Sequence, residues 1–253
     1  MWALWKREQN VKIFLAGFES HKKMFFKIKP KYILESFYYI RSDDFVKYRD
    51  STAVEVLLDS GAFTYLNSGK KVDFDKYVEK YAKYIYDNKI ALYFEMDIDG
   101  LVGLKKVEEY RKFLEKETKT RTIPVWHKSR GFEDFVKTSI DYKYMAMGFA
   151  DDQSVIKKII PYLNKFLKIA HQNDCRVHGL GFTKTRILRK IKFDTVDSTS
   201  WNRGRFGELC MFKNGKIEYI QERERKMKNQ KLAAEHNLKE WKKYQLYMER
   251  IRC

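Results

Sequence analysis

A short β-like run followed by a longer helical stretch recurs along the chain, and this alternation constrains the fold more than any other feature. The runs are Val11–Ala16, Tyr32–Tyr38, Val54–Leu58, Ala91–Met96, Thr122–Trp126, Lys143–Gly148, Arg176–Gly181 and Phe193–Val196. Each is rich in β-branched, aromatic or aliphatic residues, and most are followed by Gly, Asp, Ser or His. Between several of them lie helical patterns. Phe74–Asn88 puts Tyr77, Tyr81, Tyr84 and Ile85 on one face, Val102–Glu117 puts Val107, Tyr110 and Leu114 there, and Ser154–Gln172 puts Ile159, Leu163, Phe166 and Ala170 there. Pro161 is expected to kink the last stretch or to start a second helix, and Asp73 and Ser154 are placed to cap helices. Strand–helix alternation means parallel strands joined by crossovers. Eight such runs predict a (β/α)8 TIM barrel, with a doubly wound open sheet as the alternative. The second run is the weakest, because no good helix separates it from its neighbours.

Composition agrees with a folded domain: 44% of the 253 residues are hydrophobic and 34% charged, which excludes a disordered or fibrous chain. With 3 Pro and 12 Gly there is little room for a flexible linker. The cysteines, Cys175, Cys210 and Cys253, are far apart and form no C-x-x-C, so neither a disulfide framework nor a Cys-based zinc site is expected. No apolar run approaches the roughly 18 residues of a spanning helix, and Met1–Glu8 is too charged and short for a secretory signal. The expectation is a soluble, cytoplasmic, reduced protein. Lys and Arg number 52 against 34 Asp and Glu, a net charge of +18. Such an excess favours polyanions, nucleic acid first and an anionic membrane surface second, the alternative being a solvated Lys-rich surface.

Residues 221–253 stand apart from the barrel of residues 1–220. They hold ten Lys or Arg and five Asp or Glu, with no Gly or Pro. Leu232, His236, Lys239 and Lys243 recur at helical spacing, as do Leu238, Trp241, Gln245 and Met248, which predicts a C-terminal basic amphipathic helical extension. It either packs on the barrel or faces nucleic acid.

In a parallel barrel the chemistry lies at the C-terminal strand ends. Those ends are Asp59-Ser60-Gly61, Asp97-Ile-Asp99, Trp126-His127-Lys128, Gly148-Phe-Ala, Gly179-Leu-Gly181 and Asp197-Ser-Thr-Ser-Trp201. Asp59, Asp97 and Asp197 therefore point to one mouth, where unequal environments separate carboxylate pKa values into acid, base and nucleophile roles. Taken singly, each also reads as an ordinary turn or cap residue. Metal signals are weak: His127 has no second His at i+4, and His171 and His178 lie on different elements. Glu95, Asp97 and Asp99 alternate on one strand face and would suit Mg²⁺, without any phosphate motif beside them. Gly179-Leu-Gly181 opens a helix near Thr183 whose backbone N–H groups could receive an anion.

These segments resemble the guanine transglycosylases, the queuine tRNA-ribosyltransferase family. Asp59-Ser-Gly-Ala-Phe resembles the family's D-S-G-G-F-Q, and Tyr144-Met-Ala-Met-Gly148-Phe-Ala its Y-A-I-G-G-L-S. His178-Gly-Leu-Gly181-Phe-Thr-Lys-Thr-Arg-Ile-Leu188 resembles M-G-V-G-x-P-x-D-L-L, and Phe193-Asp194-Thr-Val-Asp197 resembles G-x-D-M-F-D. Asn202-Arg203-Gly-Arg205 resembles R-N-A-R, and Leu209–Ile217 resembles L-F-T-x-x-G-x-I, so the similarity spans residues 56–218 in the family's order. The resemblance implies a (β/α)8 enzyme that exchanges guanine for a 7-deazaguanine such as cyano-deazaguanine. Asp197 would be the nucleophile and Asp59 the acid/base. Asp97, Ser60, Gly61, Trp126, His127, Gly148 and Gly181 would surround the base, and Asn202, Arg203 and Arg205, together with Lys239, Lys242 and Lys243 of the extension, would meet nucleic acid. The family needs no organic cofactor.

The chain departs from the pattern at Thr64 in place of the family's Gln and at Trp126-His127-Lys128 in place of Q-G-G. It also lacks the C-x-C-x-x-C zinc subdomain that supports tRNA docking. These departures make it similar to small phage-encoded relatives that modify DNA, so DNA is the expected polymer and tRNA the alternative, with a partner protein conceivable and host cytoplasm as the setting. A non-catalytic nucleobase binder or a purely electrostatic nucleic-acid binder are the readings from other classes.

Overall fold

The computed structural model describes residues 10–40, 44–51, 55–66, 72–148, 153–182, 184–220 and 228–251. The expectations for Met1–Glu8, Phe149-Ala150, Thr183 and Cys253 fall outside them. Seven strands, β1 (Lys12–Ala16), β2 (Tyr32–Ser36), β3 (Glu55–Asp59), β4 (Val125–His127), β5 (Tyr144–Gly148), β6 (Arg176–Leu180) and β7 (Thr195–Ser198), form one curled sheet in the order β3-β2-β1-β7-β6-β5-β4. Every pairing in it is parallel. The fourth apolar run is not a full strand. It makes single parallel bridges, Leu58 with Tyr93 and Phe94 with Ile123, and so touches β3 on one side and the approach to β4 on the other.

Helices occupy the connections: α1 (Lys22–Ile28), α2 (Asp44–Ser51), α3 (Phe63–Leu66), α4 (Phe74–Asp87), α5 (Asp99–Val102), α6 (Leu104–Thr118), α7 (Gly131–Asp141), α8 (Gln153–Gln172) and α9 (Thr185–Leu188). The second run is thus flanked by real helices, α1 and α2, of 7 and 8 residues, too short to show a helical period in sequence. Asp73 caps α4 through Lys76 N at 3.1 Å, whereas Ser154 lies inside α8, which continues through Pro161 as one helix.

Alternation along the strands sorts side chains into two layers. One face carries Phe14, Ala16, Tyr32, Leu34, Leu57, Phe94, Val125, Tyr144 and Ala146, packed against one another. The intervening residues, among them Ile13, Leu15, Ile33, Val56, Leu58, Met145, Met147, Val177 and Val196, pack in the larger core that includes the helices. The inner-facing rows end at Asp59, His127, Gly148 and Asp197, and the pairings Ser36 with Asp59, His127 with Gly148 and Gly148 with Leu180 put those ends on one rim.

After β7, a 3₁₀ turn (Ser200–Phe206) leads to the antiparallel hairpin of β8 (Cys210–Lys213) and β9 (Lys216–Tyr219). Its two-residue loop, Asn214-Gly215, has φ of +52° and +73°, the left-handed pair such a tight turn demands. The final helix, α10 (Gln230–Arg250), is built into the fold. Ala233, Ala234, Leu238, Trp241, Tyr244 and Met248 are buried on it, and all but Ala233 belong to the larger core. A Cβ on Gly204 would lie 2.3 Å from Ala234 N, so the 3₁₀ turn rests directly on the α10 backbone. At the other end Gln245 Nε2 donates to Ile13 O and Tyr32 O, at 2.7 and 2.9 Å. The helix therefore runs from the rim to the far end of β1 and β2. Of the two rows seen in sequence, Leu238, Trp241, Gln245 and Met248 face the core.

Candidate functional site

Asp197 ends the inner row of β7 and is 8% exposed. Its Oδ1 accepts from Gly181 N at 2.7 Å and meets His178 Nε2 at 3.1 Å. His178 is fully buried between the rings of Phe14 and Phe94. Its Nδ1 lies 2.7 Å from Thr195 Oγ1, which in turn lies 2.6 Å from Tyr144 OH. One assignment satisfies every group: Tyr144 donates to Thr195, Thr195 to Nδ1, and Nε2–H to the carboxylate. Both donors engage the same carboxylate oxygen, Oδ1. The Gly181 N–H expected to await an outside anion thus serves the protein's own carboxylate, and α9 begins at Thr185.

Asp59 ends β3. Gly61 N donates to its Oδ2 at 3.0 Å. Burial pushes its carboxyl up to about 7; the Gly61 bond opposes this, and the charges of Asp97, Asp197 and Glu19 add to it. Gly61 has φ +69°, and a Cβ there would meet Ser36 Oγ and Tyr38 Cβ at 2.5 Å, so this turn requires glycine. Ser60 is 1% exposed. Tyr77 OH donates to its carbonyl at 2.6 Å, which makes Ser60 part of the turn's scaffold.

Asp97 follows the bridged run, and its Oδ1 lies 2.6 Å from His127 Nε2. Burial lowers the His127 pKa, but the bond to Asp97 and the charges of Asp97 and Asp99 outweigh it, so the imidazole is held above its usual range. Gly148 makes room for that ring: a Cβ on it would lie 2.2 Å from His127 Cε1. Glu95 does not share their face, contrary to the alternation read from sequence. It is fully buried in the helix layer, with Arg111 Nε on Oε2 at 2.6 Å and Val125 N on Oε1 at 2.7 Å. Burial raises its pKa against the two arginines beside it. Arg130 joins the layers, with Nε on Asp99 Oδ2 at 2.9 Å and Nη1 on Glu95 Oε1 at 3.4 Å. Asp97, Asp99 and His127 offer donor atoms within 4.8 Å of one another, a spacing that suits a cation. Of their atoms, Asp97 Oδ1 and His127 Nε2 bond one another and Asp99 Oδ2 holds Arg130.

Trp126 is a correction. Adjacent strand residues point to opposite faces, so with His127 at the rim the Trp126 ring goes to the helix layer, against Phe135 and Phe166, with Nε1 donating to Gly131 O at 2.8 Å. It does not reach the rim.

The residues expected at nucleic acid divide into two groups. Asn202, Arg203 and Arg205 lie on the 3₁₀ turn beyond Asp197. Arg203 pairs with Glu208 at 2.5 Å over the Tyr219 ring, and Arg205 covers Phe206. Asn202 bonds His21, whose pKa burial and Arg205 hold down against that bond. Trp201, fully buried, fixes the turn by donating to Ala16 O at 2.8 Å and stacking on Phe18. Lys239, Lys242 and Lys243 instead lie on the flank of α10 beside α1. They are engaged by Glu235 at 2.9 Å, Ile28 O at 2.7 Å and Glu240 at 2.5 Å. The structure does not bring these lysines to the rim.

Sequence reasoning missed His178 and Arg130. His178 shares its strand phase with Leu180, and that phase was the available signal. Cys175 and Cys210 are buried, and burial pushes both thiols up to about 12, so neither is an activated nucleophile. Compared with known proteins, the chain matches no family model and no curated protein sequence. Among the described residues no helix is long and apolar enough to cross a membrane.

Proposed function

We propose that this chain is a guanine transglycosylase that exchanges guanine for a 7-deazaguanine base in DNA, on a (β/α)8 barrel whose eighth strand is the bridged run at 91–96. The observation that carries the reading is the pairing of unlike carboxyls on one rim. Asp197 has Oδ1 held by two N–H donors, while Asp59 is poised to hold a proton near neutral pH. Asp197 Oδ2 attacks C1′ of the flipped nucleotide, the C1′–N9 bond breaks, and the Asp59 carboxyl delivers its proton to the departing guanine. The Asp59 carboxylate then takes the N9 proton of the incoming deazaguanine. That nitrogen attacks C1′ and releases Asp197, so configuration is retained by double displacement.

The Asp97–His127 pair faces the base as an acceptor beside a donor, and Gly148 supports it by leaving space for the imidazole. Asn202, Arg203 and Arg205, on the turn that leaves β7, are the residues next to the rim that meet the DNA backbone. The chain would work in the cytoplasm, that of a host cell if a phage encodes it.

The test is uptake of labelled guanine and cyano-deazaguanine into duplex DNA and bulk tRNA, with the wild type beside Asp197→Ala. Incorporation into DNA that the variant loses supports activity, polymer and nucleophile together. Incorporation into tRNA alone keeps the chemistry and overturns the polymer. Absence of exchange with both, despite tight binding of a nucleobase, overturns the enzyme reading in favour of a recognition protein.

A further inference from the structure

At the end of the sheet opposite Asp59 and Asp197, the strand starts surround a cavity of about 1030 Å³. Six cationic side chains line it, Lys12, Lys31, Lys116, Lys119, Arg121 and Arg176, against the carboxylates of Glu55, Glu115 and Glu249. The difference, six minus three, is a charge of +3 around one concave space. Each of those carboxylates is already satisfied. Lys12 Nζ holds Glu55 at 2.9 Å. Arg121 holds Glu115 at 3.2 Å, and Thr122 adds its N–H and hydroxyl to the same side chain. Lys31 and the Tyr32 hydroxyl share Glu249.

Lys12, Lys31 and Arg176 are also held in place rather than free to swing into water. The ammonium groups of Lys12 and Lys31 lie 5.3 and 5.4 Å from the centre of the Tyr32 ring, and the Arg176 guanidinium lies 4.4 Å from that of Tyr144. Lys12 is unusually buried for a lysine, its side chain 11% exposed. Converging, positioned cations in a hollow of this size define a site for a compact polyanion. Among the described residues the only aromatic side chain that lines it is Tyr32, 2% exposed, so none of these offers a ring to stack on the bases of a single strand.

We propose that this cavity is a second binding site, separate from the rim, for a ligand carrying a run of phosphates. The shared chemistry is the polyphosphate group, either free or as the tail of a nucleoside triphosphate. Lys116 and Lys119, both exposed at the end of α6, supply charge at its edge.

The test is calorimetric titration of the full chain, at about 0.15 M salt to screen diffuse attraction, with sodium tripolyphosphate, with ATP and with a single-stranded oligonucleotide. The variants are Lys116→Glu/Lys119→Glu, and Lys112→Glu as a charge change on an exposed face of α6 outside the cavity. Saturable binding of tripolyphosphate, weakened about tenfold or more by the double variant and changed less than about twofold by Lys112→Glu, is the expected result. Equal affinity for ATP assigns recognition to the phosphates, and tighter ATP binding that the double variant also weakens assigns the nucleotide as their source. Absence of binding, or equal losses in the cavity and control variants, overturns the site. Preference for the oligonucleotide with no saturable tripolyphosphate binding overturns it in favour of a nucleic-acid surface.

Discussion

Asp59→Asn should stabilise the protein while it abolishes the proposed exchange, and the stabilisation should grow with pH in a defined window. Asn is isosteric and its carbonyl can still accept from Gly61 N, so the turn is preserved. Asp59 has a folded pKa of about 7 against 3.8 unperturbed. A carboxyl raised on folding binds more protons in the native than in the unfolded state, so stability falls as pH climbs from about 4 to about 7 and is level above. Three pKa units correspond to about 4 kcal/mol. Asp59 is half-buried at an open rim, where water relaxes the field, so we take about half of that, roughly 2 kcal/mol. For a chain of this length that is about 4–8 °C in melting temperature. The assay is thermal unfolding of wild type and Asp59→Asn at intervals from pH 5 to 8.5, with exchange measured on the same samples. The gap should be about a third of its full size at pH 5 and widest at and above pH 7.5. A gap independent of pH, or a wild type more stable than the variant at pH 8, would refute a carboxyl held protonated by its surroundings. Wild-type exchange by the variant would remove the acid/base role.

The remaining predictions follow from the same contacts. His178→Gln should keep the fold but lower kcat about 100-fold, with KM for nucleic acid little changed, because the nucleophile loses its orienting donor rather than a substrate contact. An unchanged kcat would confine His178 to packing. Gly148→Ala should displace the His127 ring from Asp97 and raise KM for the incoming base about tenfold with little loss of melting temperature, and base affinity equal to wild type would separate the pair from recognition. Truncation before Asn229 should yield aggregated or unfolded chain. Trp241, Tyr244, Leu238 and Met248 each bury about 1.5–3 kcal/mol of side chain, and together they rival the whole stability of a typical domain. A soluble, cooperatively folding truncation would show α10 to be an appendage after all.

The parallel strands were legible because each pairs one apolar run with turn or polar residues at its end, and Asp59, Asp97 and Asp197 were located by that rule alone. What alternation could not settle was phase. Trp126 and His127 are neighbours, and a strand buried on both faces carries no contrast to say which side chain turns inward. Glu95 was placed with Asp97 for the same reason. Its true position depends on Arg111 and Arg130, arriving from α6 and from the turn after β4, partners that no local pattern reveals. The helix α10 read as basic because its buried face includes Asn237, Glu240 and Gln245. These are inside because unpaired main-chain groups are there: Cys210 N and Phe212 N on the hairpin, and Ile13 O and Tyr32 O on the sheet.

The same logic of partners separates the carboxyls at the rim. Asp197 receives two N–H donors on one oxygen, from β6 and from the Gly181 turn behind it. Asp97 receives an imidazole whose own pKa is raised in return. Asp59 receives a single backbone N–H and faces the charges of Asp97 and Asp197. Donors that sit on a carboxylate oxygen fix its direction, which suits an atom that must attack along one line or accept from one edge of a base. A carboxyl that is buried, with one donor and like charges around it, as Asp59 is, leans to its protonated form and exchanges its proton near neutral pH. On this argument the roles would survive moving the three side chains to other strands but would not survive exchanging their partners. A His178→Phe protein, with Asp197 stripped of its imidazole donor, should therefore lose the fixed aim of that carboxylate. It should form the covalent glycosyl-enzyme at least about tenfold more slowly, measured by trapping over a time course. An unchanged rate would mean that the Gly181 N–H alone holds Asp197 in its attacking direction.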